Sequence, residues 1–255
     1  MPQTEVKAIL FDLGDTLVDF GKLSTTKMVL QGARSSYDYL RDLDQPVGSF
    51  ARYFLRYLVR LRLRYYLSEY RGRDFDSLAL LQEAGRKDGL TCSRAQWEQV
   101  IWRWYEPLSR LGRIEPDLQE TLANLLAMDL KLGIVSNTFV NRASLERHLE
   151  QLGIRDFFSL RLYSYELGLR KPDPRIFRTA AEQIGEAPED ILFVGDRIDK
   201  DIRPALACGM KAALKVAYTN AGKSVPEGAW RIRRIGELPD LIEQDAVPAA
   251  QVTSV

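Results

Sequence analysis

The chain opens on an apolar run, Val6-Lys7-Ala8-Ile9-Leu10-Phe11, that breaks at Asp12-Leu13-Gly14-Asp15-Thr16-Leu17. Short, rich in strand formers and closed by turn residues, it predicts a buried strand that delivers Asp12 into a tight turn. From about residue 25 to 110 the spacing becomes helical. Ser24-Thr25-Thr26 offers an N-cap, Met28, Val29, Ala33, Tyr37 and Leu40 recur on one face, and Pro46-Val47-Gly48 ends that helix. Phe50, Phe54, Tyr57, Leu58, Leu61 and Tyr65 mark a second helix, and two more cover about 75–87 and 93–108. Beyond Glu115 helices and short apolar strands alternate: helix 116–128, strand 131–138, helix 142–152, strand 160–163, helix 174–184, strand 191–196, helix 200–208, strands 212–216 and 230–232, helix 239–243. Alternation of this kind predicts right-handed crossovers and an α/β fold with a doubly wound parallel sheet. The expected organisation is a Rossmann-like core over 1–20 and 112–243, an inserted helical subdomain over 21–111, and a disordered tail over 244–255.

Composition narrows the function. The formal net charge of +1 offers no global attraction to nucleic acid or membrane. No stretch approaches the roughly twenty apolar residues of a membrane span, and the start lacks the apolar core of a signal peptide. Cys92 and Cys208 form neither a CxxC nor a Cys/His pattern, so a reducing, cytoplasmic setting is expected. The single histidine, His148, reads as a surface helix residue, and its solitude argues against Ser-His and Cys-His chemistry. The arginines at 52, 56, 60 and 64 would line one face of a helix, read first as a solvated face and second as a polyanion contact. Trp97, Trp102 and Trp104 read as packing within the helical block.

Three predicted strands end in polar groups: Asp12 with Asp15 and Thr16, Ser136 with Asn137 and Thr138, and Gly195-Asp196 followed by Asp199 and Asp201. The C-terminal ends of parallel strands share one edge, so these groups can meet in one crevice.

In order and spacing, Phe11-Asp12-Leu13-Gly14-Asp15-Thr16-Leu17, Ile134-Val135-Ser136-Asn137, Arg170-Lys171-Pro172-Asp173 and Val194-Gly195-Asp196 with Asp201 resemble the four motifs of the haloacid dehalogenase superfamily, in its helical-cap subgroup. The resemblance implies a hydrolase, above all a phosphatase of a small phosphorylated metabolite, working through an aspartyl-phosphate on Asp12. It implies Mg²⁺ held by Asp12, the Gly14 carbonyl, Asp196 and Asp201, with Ser136, Asn137, Lys171 and Thr16 on the phosphate and Lys171 and Ser136 assisting catalysis. One position departs from the pattern: the second aspartate, which serves as general acid and base in the family's phosphatases, is Gly14 here. Asp15 or a residue of the helical insert is a candidate substitute. Otherwise the enzyme should favour acyl or aryl phosphates, whose leaving groups need no proton. A 2-haloacid dehalogenase and a catalytically weak member that binds a phosphorylated ligand or a partner are the alternatives. The oligomeric state is left open.

Overall fold

The structure, a computed structural model, describes residues 6–21 and 25–246. Its centre is a six-stranded sheet of β1 (Ala8–Phe11), β2 (Lys131–Ser136), β3 (Leu160–Tyr163), β4 (Ile191–Gly195), β5 (Lys211–Lys215) and β6 (Ala229–Ile232). The strand order is β3-β2-β1-β4-β5-β6, and every pairing is parallel. β1 lies in the middle. Its four residues are fully buried, which explains an apolar run without alternation: both faces of a parallel sheet are covered.

The two faces bury separate apolar clusters. Ile9 and Phe11 of β1 pack with Ile134, Leu192 and Val194 against α5 (Leu118–Ala127), α6 (Arg142–Gln151) and α10 (Leu238–Ala246). Ala8 and Leu10 point the other way, with Val135 and Phe193, onto α8 (Pro174–Ile184) and α9 (Arg203–Ala207), while the single-turn α7 (Ser164–Leu167) follows β3. Asp173 caps α8 through the Arg175 N–H at 2.9 Å, as the Asp-Pro start predicts.

Between β1 and α5 stand α1 (Thr25–Asp42), α2 (Phe50–Arg71), α3 (Ser77–Lys87) and α4 (Arg94–Ser109). They enclose a cluster of their own built on Tyr53, Tyr57, Leu81 and Trp97. α2 begins at a Ser49 N-cap and ends at Gly72, whose φ of 63° takes a conformation that costs a side chain energy. The N-cap expected at Ser24 falls outside the described residues, as does the tail beyond Ala246; the last helix itself runs three residues past the expected boundary. Among the described residues no helix is long and apolar enough to cross a membrane.

Two expectations fail. His148 is buried rather than on the surface, because Tyr105 of α4 docks on α6 and bonds its Nδ1 at 2.9 Å. Burial drives its imidazole down to a pKa of about 4. The tryptophans also divide. Trp97 packs inside the helical insert, whereas Trp102 joins the cluster of the sheet and lies under the Arg147 guanidinium, 4.1 Å away. Along the arginine face Arg52 and Arg64 are exposed, Arg60 is half-buried, and Arg56, also half-buried, pairs with Asp88.

Candidate active site

The strand ends meet as parallel topology requires. Asp12 follows β1, Ser136 ends β2, and Asp196 follows β4, and all three line one cavity of about 400 Å³. Between β4 and α9 the chain makes a wide π-helical turn, Ile198–Ile202, rather than continuous α-helix, and this turn carries Asp201 inward. Gly195 makes room for it. A Cβ there would lie 2.5 Å from the Asp201 Cβ, closer than packed carbon atoms come.

Lys171 sits at the bottom of the site, 2% exposed. Its Nζ pairs with Asp12 Oδ1 at 2.6 Å and Asp201 Oδ1 at 2.7 Å, above the Phe193 ring. Burial opposes the charge on the amine, but the two carboxylates outweigh it and hold the pKa above the usual lysine range. Asp12 is pushed up to about 7 by burial and by the neighbouring charges of Asp201 and Asp196, against the pull of Lys171. Burial likewise lifts Asp196 to about 6, opposed by the Thr219 hydroxyl. Oxygens of Asp12, Asp196 and Asp201 all lie within 4.8 Å of one another. Three buried carboxylates facing one ammonium leave an excess of negative charge, and a hard divalent cation with oxygen ligands fits that donor set.

The remaining expected residues take more specific positions. Both ends of the Asn137 side chain are used on the Lys171 backbone: Nδ2 donates to its carbonyl and Oδ1 accepts from its N–H, each at 2.8 Å. Thr16 is buried, and its hydroxyl donates to Asp196 Oδ1 at 3.4 Å. Asp15 adopts a φ of 58°. Its Oδ1 accepts from the Phe20 N–H at 3.3 Å and its Oδ2 from the Tyr218 hydroxyl at 3.0 Å, and burial raises its pKa. Asp199 lies on the surface, paired with Arg197 at 3.0 Å, so Asp201 is the acid that enters the site.

Sequence reasoning missed two groups. Tyr218-Thr219-Asn220, just after β5, supplies the Thr219 hydroxyl to Asp196 Oδ2 and the Asn220 amide to the Asp196 carbonyl at 2.8 Å. A polar trio directly after a strand was the available signal. The second group joins the helical insert to the core. Arg170, buried beside Lys171, donates to Ser68 Oγ at 3.0 Å, pairs with Glu69 at 2.5 Å and lies 3.4 Å from Asp74. Asp74 in turn accepts from Ser164.

A model of the haloacid dehalogenase-like hydrolase family matches residues 6–209, and the chain belongs to that family. It is 30% identical to the glyceraldehyde 3-phosphate phosphatase of Methanopyrus kandleri, over 80% of this chain and 82% of that protein. With the glyceraldehyde 3-phosphate phosphatase of Methanocaldococcus jannaschii the identity is also 30%, over 93% of this chain and 96% of that one. Among solved structures, the 2-haloacid dehalogenase of Pseudomonas syringae superposes with a TM-score of 0.62 at 23% identity, covering 94% of this chain and 99% of that one. That likeness shows the fold alone. The protein is therefore a hydrolase of the haloacid dehalogenase type.

Proposed function

We propose that the protein is a magnesium-dependent phosphatase of small phosphorylated metabolites that works through an aspartyl-phosphate on Asp12. The observation that carries the reading is the junction of Asp12, Lys171, Asp201 and Asp196 at the end of one cavity lined by Ser136 and Thr138. The relatives named as glyceraldehyde 3-phosphate phosphatases support a phosphorylated small molecule as substrate, without fixing its organic body. The acidic pair Asp196 and Asp201, which by the resemblance the metal-independent dehalogenases of the family do not keep, favours phosphate chemistry over carbon-halogen hydrolysis.

Asp12, Asp196 and Asp201, with the Gly14 carbonyl, would hold Mg²⁺, which when bound offsets the repulsion between an anionic nucleophile and an anionic phosphate. Lys171 orients Asp12 and neutralises charge on the phosphoryl group. A carboxylate oxygen of Asp12 attacks phosphorus, a P–O bond forms, and the bond to the leaving oxygen breaks with its electron pair. Ser136 donates to the phosphoryl oxygens as charge builds on them, whereas the Thr138 N–H is given to Ser164 Oγ at 2.8 Å. Water then attacks phosphorus, the bond to Asp12 breaks, and inorganic phosphate leaves with the carboxylate restored. With Gly14 at the position of the usual acid, the leaving oxygen takes its proton from solvent or from Asp15, whose two oxygens are already engaged.

Residues 21–111 act in this reading as a cap, held on the core by Arg170 and opening to admit substrate. The free cysteines Cys92 and Cys208 fit a cytoplasmic setting.

The test is phosphate release from 4-nitrophenyl phosphate with and without Mg²⁺, for the wild type and Asp12→Asn. Magnesium-dependent turnover that vanishes in the variant is the expected result. Halide release from 2-haloacids without phosphate release would turn the assignment to a dehalogenase.

A further inference from the structure

A second cavity, of about 570 Å³, lies between α1, α2, α3 and α4 and adjoins the first. Five residues line both: Tyr65, Tyr105, Leu108, Phe139 and Val140. The volume falls within the range of ordinary small-molecule sites, about 300–1,000 Å³. Among the described residues that line it, only Arg62 and Ser77 are neither apolar nor aromatic. Trp104 Nε1 donates to the Tyr53 hydroxyl at 3.2 Å, and the Tyr105 hydroxyl is bonded to His148, so both rings have their polar atoms satisfied elsewhere. The cavity is a cleft open to solvent beside Tyr65 and Tyr66, and its apolar walls gain from being covered by an apolar body rather than by water.

The joint between the two cavities is built rather than accidental. Phe139 comes three residues after Ser136, stacks on Phe75 at 5.2 Å and meets Tyr65 edge-on at 6.0 Å. Its carbonyl accepts from the Ser77 N–H at 3.3 Å. Ser77 is buried, and among the described residues its hydroxyl finds no hydrogen-bond partner. Such a group is costly inside a protein unless a ligand satisfies it.

We infer that the cavity receives the leaving group of the substrate, and that this group is an apolar alkyl or aryl body rather than a short polyol. The inference rests on the phosphatase reading and extends it to the substrate class. A phosphate at Ser136 and Lys171 would place its ester oxygen at the joint, with the organic body passing Phe139 and Tyr105 toward Leu58, Leu81 and Ile101. Ser77 lies where a single polar atom on that body could bond. A leaving group of the aryl kind also needs no proton, which agrees with Gly14.

The experiment pairs binding with turnover. Dissociation constants are measured by calorimetry in Mg²⁺ for methyl-, butyl-, octyl- and phenylphosphonate, and kcat/KM for the four corresponding phosphate monoesters. Affinity should rise with chain length, by up to about fourfold per methylene while the chain remains in the cavity, and kcat/KM should rise with it. A steeper gain for phenyl than for butyl would select an aryl body, and the reverse an alkyl one, either in support of the apolar site. Val29→Trp, which fills the wall, and Leu58→Gln, which makes it polar, should each reduce the octyl-to-methyl ratio at least fivefold. A flat series in the wild type, or an unchanged ratio in both folded variants, overturns the inference while clear hydrolysis leaves the phosphatase reading standing. Affinity that climbs with chain length without any hydrolysis would do the opposite, keeping the apolar site and removing the phosphatase.

Discussion

Asn137 grips the backbone of Lys171 from both sides, its amide nitrogen on the carbonyl and its amide oxygen on the N–H, each at 2.8 Å. No other residue type offers a donor and an acceptor at that separation on so short a stem. The pair ties the loop after β2 to the loop before α8, and so fixes the base from which the Lys171 amine reaches Asp12 and Asp201. Asn137→Ala removes two hydrogen bonds worth about 1–3 kcal/mol together. It should lower kcat/KM for 4-nitrophenyl phosphate about 10- to 100-fold, with the larger part in kcat. A fall of less than twofold would mean that the loop holds Lys171 without Asn137.

Lys171→Met tests the amine itself. The change leaves Asp12 and Asp201 buried without their cation, and breaking a buried pair costs about 3–5 kcal/mol. In metal-free protein Asp12, already pushed up to about 7 by burial, can escape by protonation, so the variant should recover stability as pH falls from 7 to 5. Urea midpoints across that range would show it, and an equal loss at every pH would argue that lost packing rather than an unpaired Asp12 charge destabilises the variant.

Much of this arrangement could be read from residue order, and the reason is topological. Asp12, Ser136 and Asp196 each end a strand, and parallel pairing sends all such ends to one edge, so their convergence needs only the strand pattern. What the pattern could not carry was side-chain direction. Asn137 stands in a motif that the resemblance assigns to phosphate, yet its amide turns to Lys171; Asp15 turns to Tyr218 from a residue with positive φ. His148 misled for a different reason. The sequence Leu145-Glu146-Arg147-His148-Leu149 fits a surface helix until Tyr105, 43 residues earlier, packs over it. Contacts between segments so distant leave no local periodicity.

That buried histidine sets a pH dependence. Its pKa is about 4 in the folded chain and about 6.5 unfolded, so between these values the unfolded state binds more protons. Stability is therefore full above pH 6.5 and is lost as pH falls through 4, by about 3 kcal/mol from this group. Asp12 and Asp196 act in the opposite sense, since raised carboxylate values favour the folded state at low pH. Comparing wild type with His148→Phe isolates the histidine. The stability difference between the two proteins should change by about 3 kcal/mol from pH 7 to pH 4, whereas a constant difference would show that His148 is accessible to protons when folded.

Arg170 tests the attachment of the helical insert. It is nearly buried and reaches Ser68, Glu69 and Asp74 at the C-terminal end of α2 and just beyond. Replacing it by Met leaves Asp74 buried without that cation and removes hydrogen bonds across the join. The insert should then open more often, with KM raised about 5- to 20-fold and faster exchange of the α2 amides near Ser68. Unchanged exchange there would mean that α4, packed on α6 through Trp102 and Tyr105, holds the insert closed alone.

Gly14 offers a gain of function. A Cβ built on it meets nothing nearer than the Phe20 ring at 3.9 Å, an ordinary contact, and the backbone there has no positive φ. Gly14→Asp can therefore be accommodated, and by resemblance it would place an acid where the leaving oxygen departs. General acid help is worth about 10²–10⁴ in rate when the leaving group is a poor one, and little when it is a good one. The variant should raise kcat for alkyl phosphates at least tenfold while changing 4-nitrophenyl phosphate less than threefold, so the alkyl-to-aryl ratio is the quantity to measure. An equal gain on both esters would point instead to a change in cation binding, because an added carboxylate strengthens the site whatever leaves. No gain on either, from a folded and magnesium-loaded protein, would mean that Asp15 already supplies the proton.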